Sequence, residues 1–203
     1  MCFHSRQISK PETLEQRFDA KFTESNYEGK DRFIGFSYPQ TPVITNVNEH
    51  TIDLYHWGLI PFWAKDDSIR KNTLNARIET LSEKPSFRNS IKNRCLILVD
   101  GFYEWQWKDP KGKEKQQYLI TLDKDEPFAF AGIYSDWVNK ETGEVIKTYS
   151  IITTEANELM AEIHNNKKRM PVILTPENEK LWLHGTDVNE FFKPQVDLKA
   201  YAI

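Results

Sequence analysis

Two regions of this chain contain short runs of strand-forming residues, some alternating between apolar and polar positions and some continuously apolar, as is typical of β-strands. Three such runs, "RFIGFSY", "PVITNV" and "TIDLYHWGLI", lie between residues 32 and 60, and five more, "RCLILV", "GFYEWQW", "QYLITL", "PFAFAGIY" and "KTYSIIT", lie within residues 94–153. The polar stretches "KDPKGKEK" and "NKETGEV" between the later runs are typical of hairpin turns. Between the two regions, short helices are expected around Ile69 and across residues 84–93.

Three other segments have the spacing and boundary residues of helices, namely residues 11–22, 154–164 and 175–185. Thr154 and Thr175 are the expected N-caps of the last two, because a threonine hydroxyl accepts a backbone N–H there. The order is one helix, many strands and then helices, which is not βαβ alternation. We therefore expect an α+β fold with a largely antiparallel, barrel-like β core and flanking helices.

The chain has 203 residues, of which 39% are hydrophobic and 13% aromatic, so it can bury a core. This length predicts a single domain that spans residues 1–203. The net charge of −3 gives no global basic field, so any contact with nucleic acid must come from a local patch. No signal segment and no run near the roughly 20 apolar residues of a membrane span is visible. We therefore expect a cytoplasmic monomer with no membrane partner.

The chain has two cysteines, too few for a disulfide framework or a metal cluster, and no metal site is expected. Cys95 lies in an apolar strand and is interpreted as a buried core residue. Cys2 directly follows Met1, so removal of Met1 would give it a free α-amine beside its thiol. Taken alone, a cysteine at position 2 is as well explained as an incidental residue, because chain termini tolerate most residue types. No glycine-rich dinucleotide or P-loop motif is present, and no cofactor is expected.

The segment "NARIET" places an amide, a guanidinium and a carboxylate at alternate positions. In an extended strand, Asn75, Arg77 and Glu79 would share one face. That face is either a solvated edge or the wall of a polar cleft. In a cleft, Arg77 would suit a phosphate or a carboxylate, which its planar fork binds in a bidentate way.

Two further titratable residues have more than one interpretation. Glu104 lies among the aromatic residues of "GFYEWQW", where burial would raise its pKa and suit it to acid–base catalysis, or it is an exposed strand residue. His164 lies at the end of a predicted helix. It is either a catalytic imidazole or a cap that the helix dipole stabilises. Lys167, Lys168 and Arg169 follow it and form an anion-binding patch or a solvated loop.

The segment "HWGLIPFWAKD" is a rigid apolar loop with a basic tip. Trp57, Pro61 and Phe62 belong to it, and Lys65 is the tip. Core packing is one explanation for the aromatic residues. The other is a platform on which the bases of single-stranded DNA stack.

Seven stretches, taken in their order along the chain, resemble one known family. They are "MC", "WGLIPFWAKD", "NARIET", "FRNSIKNRCLILVDGFYEW", "FAFAGIY", "TTEAN" and "IH…RMPVIL". This order is similar to that of the SOS-response-associated peptidase (SRAP) family, whose members shield abasic sites in single-stranded DNA. The resemblance runs from Cys2 to about Trp182 and implies an α+β fold with a barrel-like β core.

The resemblance also implies a role for each matching residue. Cys2, once Met1 is lost, would crosslink to the abasic sugar, and Asn75 would hold that sugar and the new terminus. Glu104 would be the acid–base residue, and His164 would transfer protons and open the sugar. Arg77 would bind a phosphate. The loop packed near the bases would contain Trp57, Pro61 and Phe62.

The chain departs from the family pattern in two places. Family members commonly begin Met-Cys-Gly-Arg, whereas Phe3 and His4 stand here, so that His4 or Arg6 would have to replace the early arginine. The segment "NNKK" at 165–168 lengthens the stretch after His164 and adds positive charge. The expected partner is single-stranded DNA with an abasic site.

Three functions remain distinct at the level of sequence. The first is a covalent crosslinker in which Cys2 forms a thiazolidine with the abasic aldehyde, with some lyase activity through the Schiff base. The second is a thiol peptidase or amidase of the N-terminal-nucleophile kind, in which Cys2 attacks an amide. The third is a single-strand DNA-binding module without chemistry. The resemblance favours the first.

Overall fold

The computed structural model describes residues 2–24, 26–122, 126–192 and 196–203. Strands dominate it, and in chain order they are β1 (His4–Gln7), β2 (Lys21–Phe22), β3 (Lys30–Ile34), β4 (Gln40–Thr45), β5 (Asn48–Trp57), β6 (Asn75–Arg77), β7 (Arg94–Val99), β8 (Gly101–Trp107), β9 (Lys115–Leu122), β10 (Phe128–Val138), β11 (Val145–Glu155), β12 (Arg169–Pro171), β13 (Ile173–Leu174) and β14 (Leu198–Ala202). The α-helices are α1 (Pro11–Phe18), α2 (Glu158–Ile163) and α3 (Pro176–Leu183). Short 3₁₀ helices cover Gly35–Ser37, Ser68–Asn72, Ile78–Thr80, Arg88–Ser90 and Val188–Phe191.

Five strands close into a barrel in the order β5-β4-β7-β10-β11. The first four pairings are antiparallel. The closing pair, β11 with β5, is parallel and places Tyr149 opposite Trp57. Closure removes the free edges that an open sheet of these strands would leave. This arrangement confirms the α+β fold class with a barrel-like core.

A second, antiparallel sheet has the order β14-β9-β8-β1-β3. Alternation sends one set of barrel side chains toward this sheet, where Val43, Ile97 and Phe130 meet Phe102 and Ile120. The opposite set, with α1 and α3, forms the other half of the core. The N-terminal strand β1 therefore lies between β3 and β8 and borders a packed core.

The helices differ from the sequence predictions at their ends. The first helix stops at Phe18, where Asp19 adopts a left-handed conformation, and residues 21–22 pair with β5 instead of extending the helix. Thr154 is not a cap, because β11 continues to Glu155 and Asn157 caps α2 through the N–H of Met160. Thr175 caps α3 as predicted.

The segment expected to contain short helices forms only 3₁₀ turns. Residues 68–72 form one around Ile69, and residues 88–90 are the helical part of the 84–93 stretch. Within the described ranges no helix is long and apolar enough to cross a membrane.

Candidate active site

Cys2 lies buried at the start of the N-terminal segment, with none of its surface exposed. Its carbonyl oxygen accepts a hydrogen bond from Asn75 Nδ2 at 2.8 Å, across 73 positions of sequence. The Cys2 thiol lies 3.6 Å from the His4 carbonyl oxygen. The fold therefore brings together the two residues at the start of the proposed chemistry.

The far end of β1 is fixed by the carboxylate of Asp100. This buried group accepts hydrogen bonds from the backbone N–H of Ser9 at 2.8 Å, from the Ser9 hydroxyl at 2.6 Å and from Gln7 Nε2 at 3.3 Å. It also accepts the N–H of Ile8. Because these bonds lie just beyond β1, they set the register of the strand that carries Cys2 into the site.

Asn75 lies on β6, which pairs in parallel with β11 so that Asn75 is opposite Ile151. Its Oδ1 is buried and has no hydrogen-bond partner among the described residues. A buried acceptor without a donor is costly, which makes it a ready partner for a donor on a ligand or on a new terminus. Arg77 follows on the same face of β6, as the alternation predicted, and is exposed.

Glu104 and His164 form the second half of the site. They come from β8 and from the residue that ends α2, and Glu104 Oε2 lies 4.0 Å from His164 Nε2. Both side chains are buried. Burial raises the pKa of Glu104 to about 7 and lowers the pKa of His164 to about 4. Near pH 7 the imidazole is therefore neutral and the carboxyl group is close to half protonated.

The backbone of Arg169 orients the imidazole of His164. Nδ1 lies 2.8 Å from the Arg169 carbonyl oxygen and 3.2 Å from its backbone nitrogen. When Nδ1–H donates to the carbonyl, Nε2 carries a lone pair on the side of Glu104. Because the pKa of Glu104 lies above that of His164, the pair consists of a carboxyl group that can hold a proton and a neutral imidazole beside it.

The thiol of Cys2 is held in its protonated form. Burial raises its pKa, and the carboxylate of Glu104 raises it further. The electrostatic coupling places Glu104 near the sulfur as well as near His164. A thiolate is therefore not the resting nucleophile, and a reaction at Cys2 must begin elsewhere or proceed with transfer of the thiol proton.

An open groove of about 400 Å³ lies beside Asn75. It is lined by Phe3, Lys71, Asn72, Leu74, Asn75, Arg77, Thr80, Lys84, Pro85, Ser86 and Phe87. Three of these side chains are cations, and only Arg77 was identified from the sequence. Lys71 and Lys84 carried no local signal, because they lie on opposite sides of β6 in sequence, in the 3₁₀ helix at 68–72 and in the turn region after residue 80.

Arg169 does not extend the basic surface. It is buried, and its guanidinium forms a bidentate ion pair with Glu79, with Nη2 at 2.9 Å from Oε2. Nη2 also donates to the Thr153 carbonyl oxygen at 2.8 Å. Glu79 follows β6 in a 3₁₀ helix rather than continuing the strand face shared by Asn75 and Arg77. Arg169 thus acts inside the protein, whereas its neighbours at 167 and 168 are exposed lysines.

The aromatic loop divides into a buried and an exposed part. Trp57 is fully buried, and its Nε1 donates to the Leu74 carbonyl oxygen at 2.8 Å. Pro61 is also buried. Phe62 and Trp63 are 64% and 45% exposed, which leaves two aromatic side chains at the surface.

The exposed part of this loop rests on a small apolar cluster of Ile60, Ala64 and Trp137. Trp137 Nε1 donates to the Ala64 carbonyl oxygen at 2.8 Å. The tip is therefore held in place although its aromatic side chains face outward. Lys65 is exposed beside it, and Trp63 is a surface aromatic residue that the sequence analysis did not single out.

His4 and Arg6 lie on β1 but are already engaged. His4 packs edge-on against Trp105 with ring centroids 4.8 Å apart. Arg6 Nε lies 3.0 Å from Asp31 Oδ1. Among the described residues no group of three or more His, Cys, Asp or Glu side chains could hold a metal ion.

This geometry agrees with a comparison of the whole sequence with protein families. The model of the family described as "SOS response associated peptidase (SRAP)" matches residues 1–203. The chain belongs to the SRAP family. Asn75, Glu104 and His164, from the stretches "NARIET", "YEW" and "IH" that carried the resemblance, are residues that the fold brings to the Cys2 site.

Curated SRAP relatives are similar over most of this chain. "Abasic site processing protein YoqW" of Bacillus subtilis is 49% identical over 176 residues, which are 81% of this chain and 76% of that protein. "Abasic site processing protein HMCES" of Gallus gallus is 35% identical over 156 residues, which are 65% of this chain and 45% of that longer protein.

Solved structures confirm the fold. A crystal structure of a Bacteroides thetaiotaomicron protein matches with a TM-score of 0.91 and 36% identity, and covers 100% of this chain and 92% of that one. A crystal structure of a Bordetella bronchiseptica protein matches with a TM-score of 0.83 and 26% identity. The match covers 100% of this chain and 99% of that one.

Proposed function

We propose that this protein binds abasic sites in single-stranded DNA and forms a covalent crosslink to them through Cys2 once Met1 has been removed. The observation that carries the proposal is the hydrogen bond from Asn75 to the Cys2 carbonyl, beside the buried Glu104–His164 pair. Curated relatives named as abasic site processing proteins support it. The proposed acting form is a monomer, on genomic DNA in the cytoplasm.

The first step joins the α-amine of Cys2 to the open-chain aldehyde of the abasic sugar. A terminal amine has a pKa of about 7.7–8.0, so an appreciable fraction is neutral near pH 7. Its nitrogen attacks the aldehyde carbon, whose oxygen takes a proton to give a carbinolamine. Glu104 and His164 supply and accept these protons, and the buried Oδ1 of Asn75 can accept a hydrogen bond from the reacting amine.

The second step closes a ring. The carbinolamine loses its hydroxyl as water to form an imine, and the sulfur of Cys2 then adds to the imine carbon. The thiol proton is transferred to the nitrogen, so the product is a five-membered thiazolidine and the net loss is one water. Because the thiol is protonated before it reacts, Glu104 in its carboxylate form is suited to remove that proton.

Binding of the DNA strand is proposed to use the surfaces next to this site. Arg77, Lys71 and Lys84 line the groove and would neutralise phosphates. Phe62 and Trp63 present aromatic surface on which unstacked bases can pack. Lys65 would add charge beside them.

The alternative, a thiol peptidase or amidase, is not favoured. The family description contains the word peptidase, but the printed names of the curated relatives refer to abasic sites. The buried Cys2 thiol, with its raised pKa, also lacks the thiolate that a cysteine hydrolase uses.

A crosslinking assay with variants at the two cysteines tests the proposal. An oligonucleotide with one abasic site should give a heat-stable adduct with the wild type and with the control variant Cys95→Ala. Cys2→Ala keeps the amine but lacks the thiol, so we expect only a labile imine that borohydride traps. A heat-stable adduct at full yield in Cys2→Ala would contradict the proposal.

A further inference from the structure

A second basic surface lies on the β8–β9 hairpin and the turn that follows His164. We call it the hairpin patch, and it consists of Lys108, Lys111, Lys113, Lys115, Lys167 and Lys168. All six lysines are exposed. None of them belongs to the groove beside Arg77.

The two parts of the hairpin patch are fastened to each other. The Asn165 side chain binds the backbone of Trp107 twice, since Oδ1 accepts its N–H at 3.1 Å and Nδ2 donates to its carbonyl oxygen at 2.9 Å. Gln106 Nε2 also donates to the Glu162 carbonyl oxygen at 3.0 Å. The Asn165 side chain thus pairs with both the N–H and the carbonyl of Trp107, as a neighbouring strand would, and this fixes the turn against the hairpin. The lysines of the two segments therefore form one surface.

The charge of this surface is not neutralised from within. Residues 108–115 and 165–168 contain these six lysines against the carboxylates Asp109 and Glu114, a local net charge of +4 in a chain whose net charge is −3. Among the described residues, none of the six lysines forms an ion pair with a carboxylate. Asp109 instead accepts the backbone N–H groups of Lys111 and Glu114, which lowers its pKa.

The strand order places the hairpin patch opposite Arg77. Thr153 of β11 pairs with Arg77 on one side and with Pro171 of β12 on the other. The turn at 165–168 leads directly into β12. Neighbouring strands lie about 4.8 Å apart, so Arg77 and Pro171 are separated by roughly 10 Å, and the patch begins three residues before Pro171, at Lys168.

We propose that the hairpin patch binds phosphates of the DNA strand that flanks the abasic nucleotide on the side away from Arg77. This rests on the proposed function and extends its contact surface beyond the groove. Between hairpin and turn lies a concave surface of about 460 Å³, lined by Trp107, Lys108, Asp109, Pro110, Asn165 and Asn166. Lys108 lies in this surface beside Trp107, and Lys115 Nζ lies 5.4 Å from the centroid of the Trp107 ring, so cations line the path of a flanking phosphate.

The salt dependence of binding tests this inference. The probe is a single-stranded oligonucleotide that carries a tetrahydrofuran abasic analogue, which has no aldehyde and binds without crosslinking. Each phosphate that a lysine neutralises adds about 0.7 to the slope of log K against log salt on single-stranded DNA. The double variants Lys111→Gln/Lys113→Gln and Lys167→Gln/Lys168→Gln should therefore each lower that slope by about 1.4.

The matched control is Lys92→Gln/Lys140→Gln, which removes two exposed lysines outside both surfaces. Lys140 lies in the β10–β11 turn, at the opposite end of β11 from Arg77. The control should leave the slope unchanged. Equal slopes for the wild type and both patch variants would overturn the inference.

Truncated oligonucleotides separate the two basic surfaces. With nucleotides kept on only one side of the lesion, the patch variants should weaken binding to one of the two probes and Arg77→Gln binding to the other. If the patch variants and Arg77→Gln weakened binding to the same truncated probe, the two basic surfaces would not lie on opposite sides of the lesion, and the inference would be contradicted. If the wild type crosslinks normal abasic DNA but the patch variants bind like the wild type, the inference fails and the proposed function stands. If the wild type neither binds nor crosslinks, the proposed function itself fails.

Discussion

Replacement of Glu104 by glutamine should stabilise the protein while it slows the reaction. Glu104 is only 5% exposed, and burial raises its pKa from 4.5 to about 7. Its ionised form is therefore disfavoured in the folded state. Glutamine has nearly the same shape and carries no charge, so Glu104→Gln removes that penalty without creating a cavity.

The size of the effect follows from the change in pKa. A rise of roughly 2.5 in pKa corresponds to about 3 kcal/mol, at about 1.36 kcal/mol per pKa unit. Below pH 4.5 both folded and unfolded chains hold the proton, and there is no penalty. Between pH 4.5 and 7 the unfolded chain releases it while the folded chain keeps it, so the wild type loses up to about 1.4 kcal/mol per pH unit. Above pH 7 the penalty is constant.

Urea unfolding of both proteins between pH 4.5 and 8 measures this difference. The gain in stability of Glu104→Gln should be near zero at pH 4.5 and approach about 3 kcal/mol at pH 8. His164, whose pKa is lowered to about 4, destabilises both proteins as the pH falls below 6.5, so its contribution largely cancels. Glu83→Gln provides the control, because it makes the same chemical change at an exposed position.

A pH-independent difference, or a loss of stability at pH 8, would refute the reasoning. The same variant should crosslink more slowly, by about 100-fold, because an acid–base residue typically contributes roughly 10²–10⁴-fold. Crosslinking at the wild-type rate would remove Glu104 from the mechanism even if the stability change is as expected.

Three further variants test how the site is held together. Asn75→Ala removes the bond to the Cys2 carbonyl and should slow crosslinking about 10- to 100-fold at saturating DNA; an unchanged rate would contradict its role. Glu79→Gln leaves the buried Arg169 guanidinium without its carboxylate, and urea unfolding should show a loss of about 2 kcal/mol together with slower crosslinking; a stable variant with normal kinetics would show that the ion pair does not position the site. Asp100→Asn weakens the bonds that fix the end of β1 and should cost about 1–2 kcal/mol and reduce the crosslinking rate, whereas equal rates at saturating DNA would argue that β1 needs no such anchor.

The alternation of apolar and polar residues predicted the strands and the shared face of Asn75 and Arg77 because both depend on a local period of two. The alternation also predicted β8, but it left Glu104 either buried or exposed, and the structure shows that this side chain is buried. The prediction that Thr154 caps a helix was wrong, because threonine is also common in strands. Thr154 pairs with Met170 of β12, and β11 therefore continues past it.

Contacts between distant segments could not be predicted in this way. The pairing of Arg169 with Glu79, 90 positions away, decides that this arginine lies inside the protein although its lysine neighbours are exposed. Trp57 is buried because barrel closure stacks it on Tyr149. The local sequence around each of these residues is equally compatible with a surface position, so only the tertiary pairing distinguishes the two.

The central claim is that Cys2, freed of Met1, reacts with the abasic aldehyde through both its amine and its thiol. Intact mass spectrometry before and after mixing with a single-stranded oligonucleotide that carries one abasic site tests it most directly. We expect a chain without Met1 that gains one oligonucleotide mass minus one water, in an adduct that survives heating and maps to Cys2. A chain without Met1 that forms no adduct, or forms one at another residue, would contradict the account.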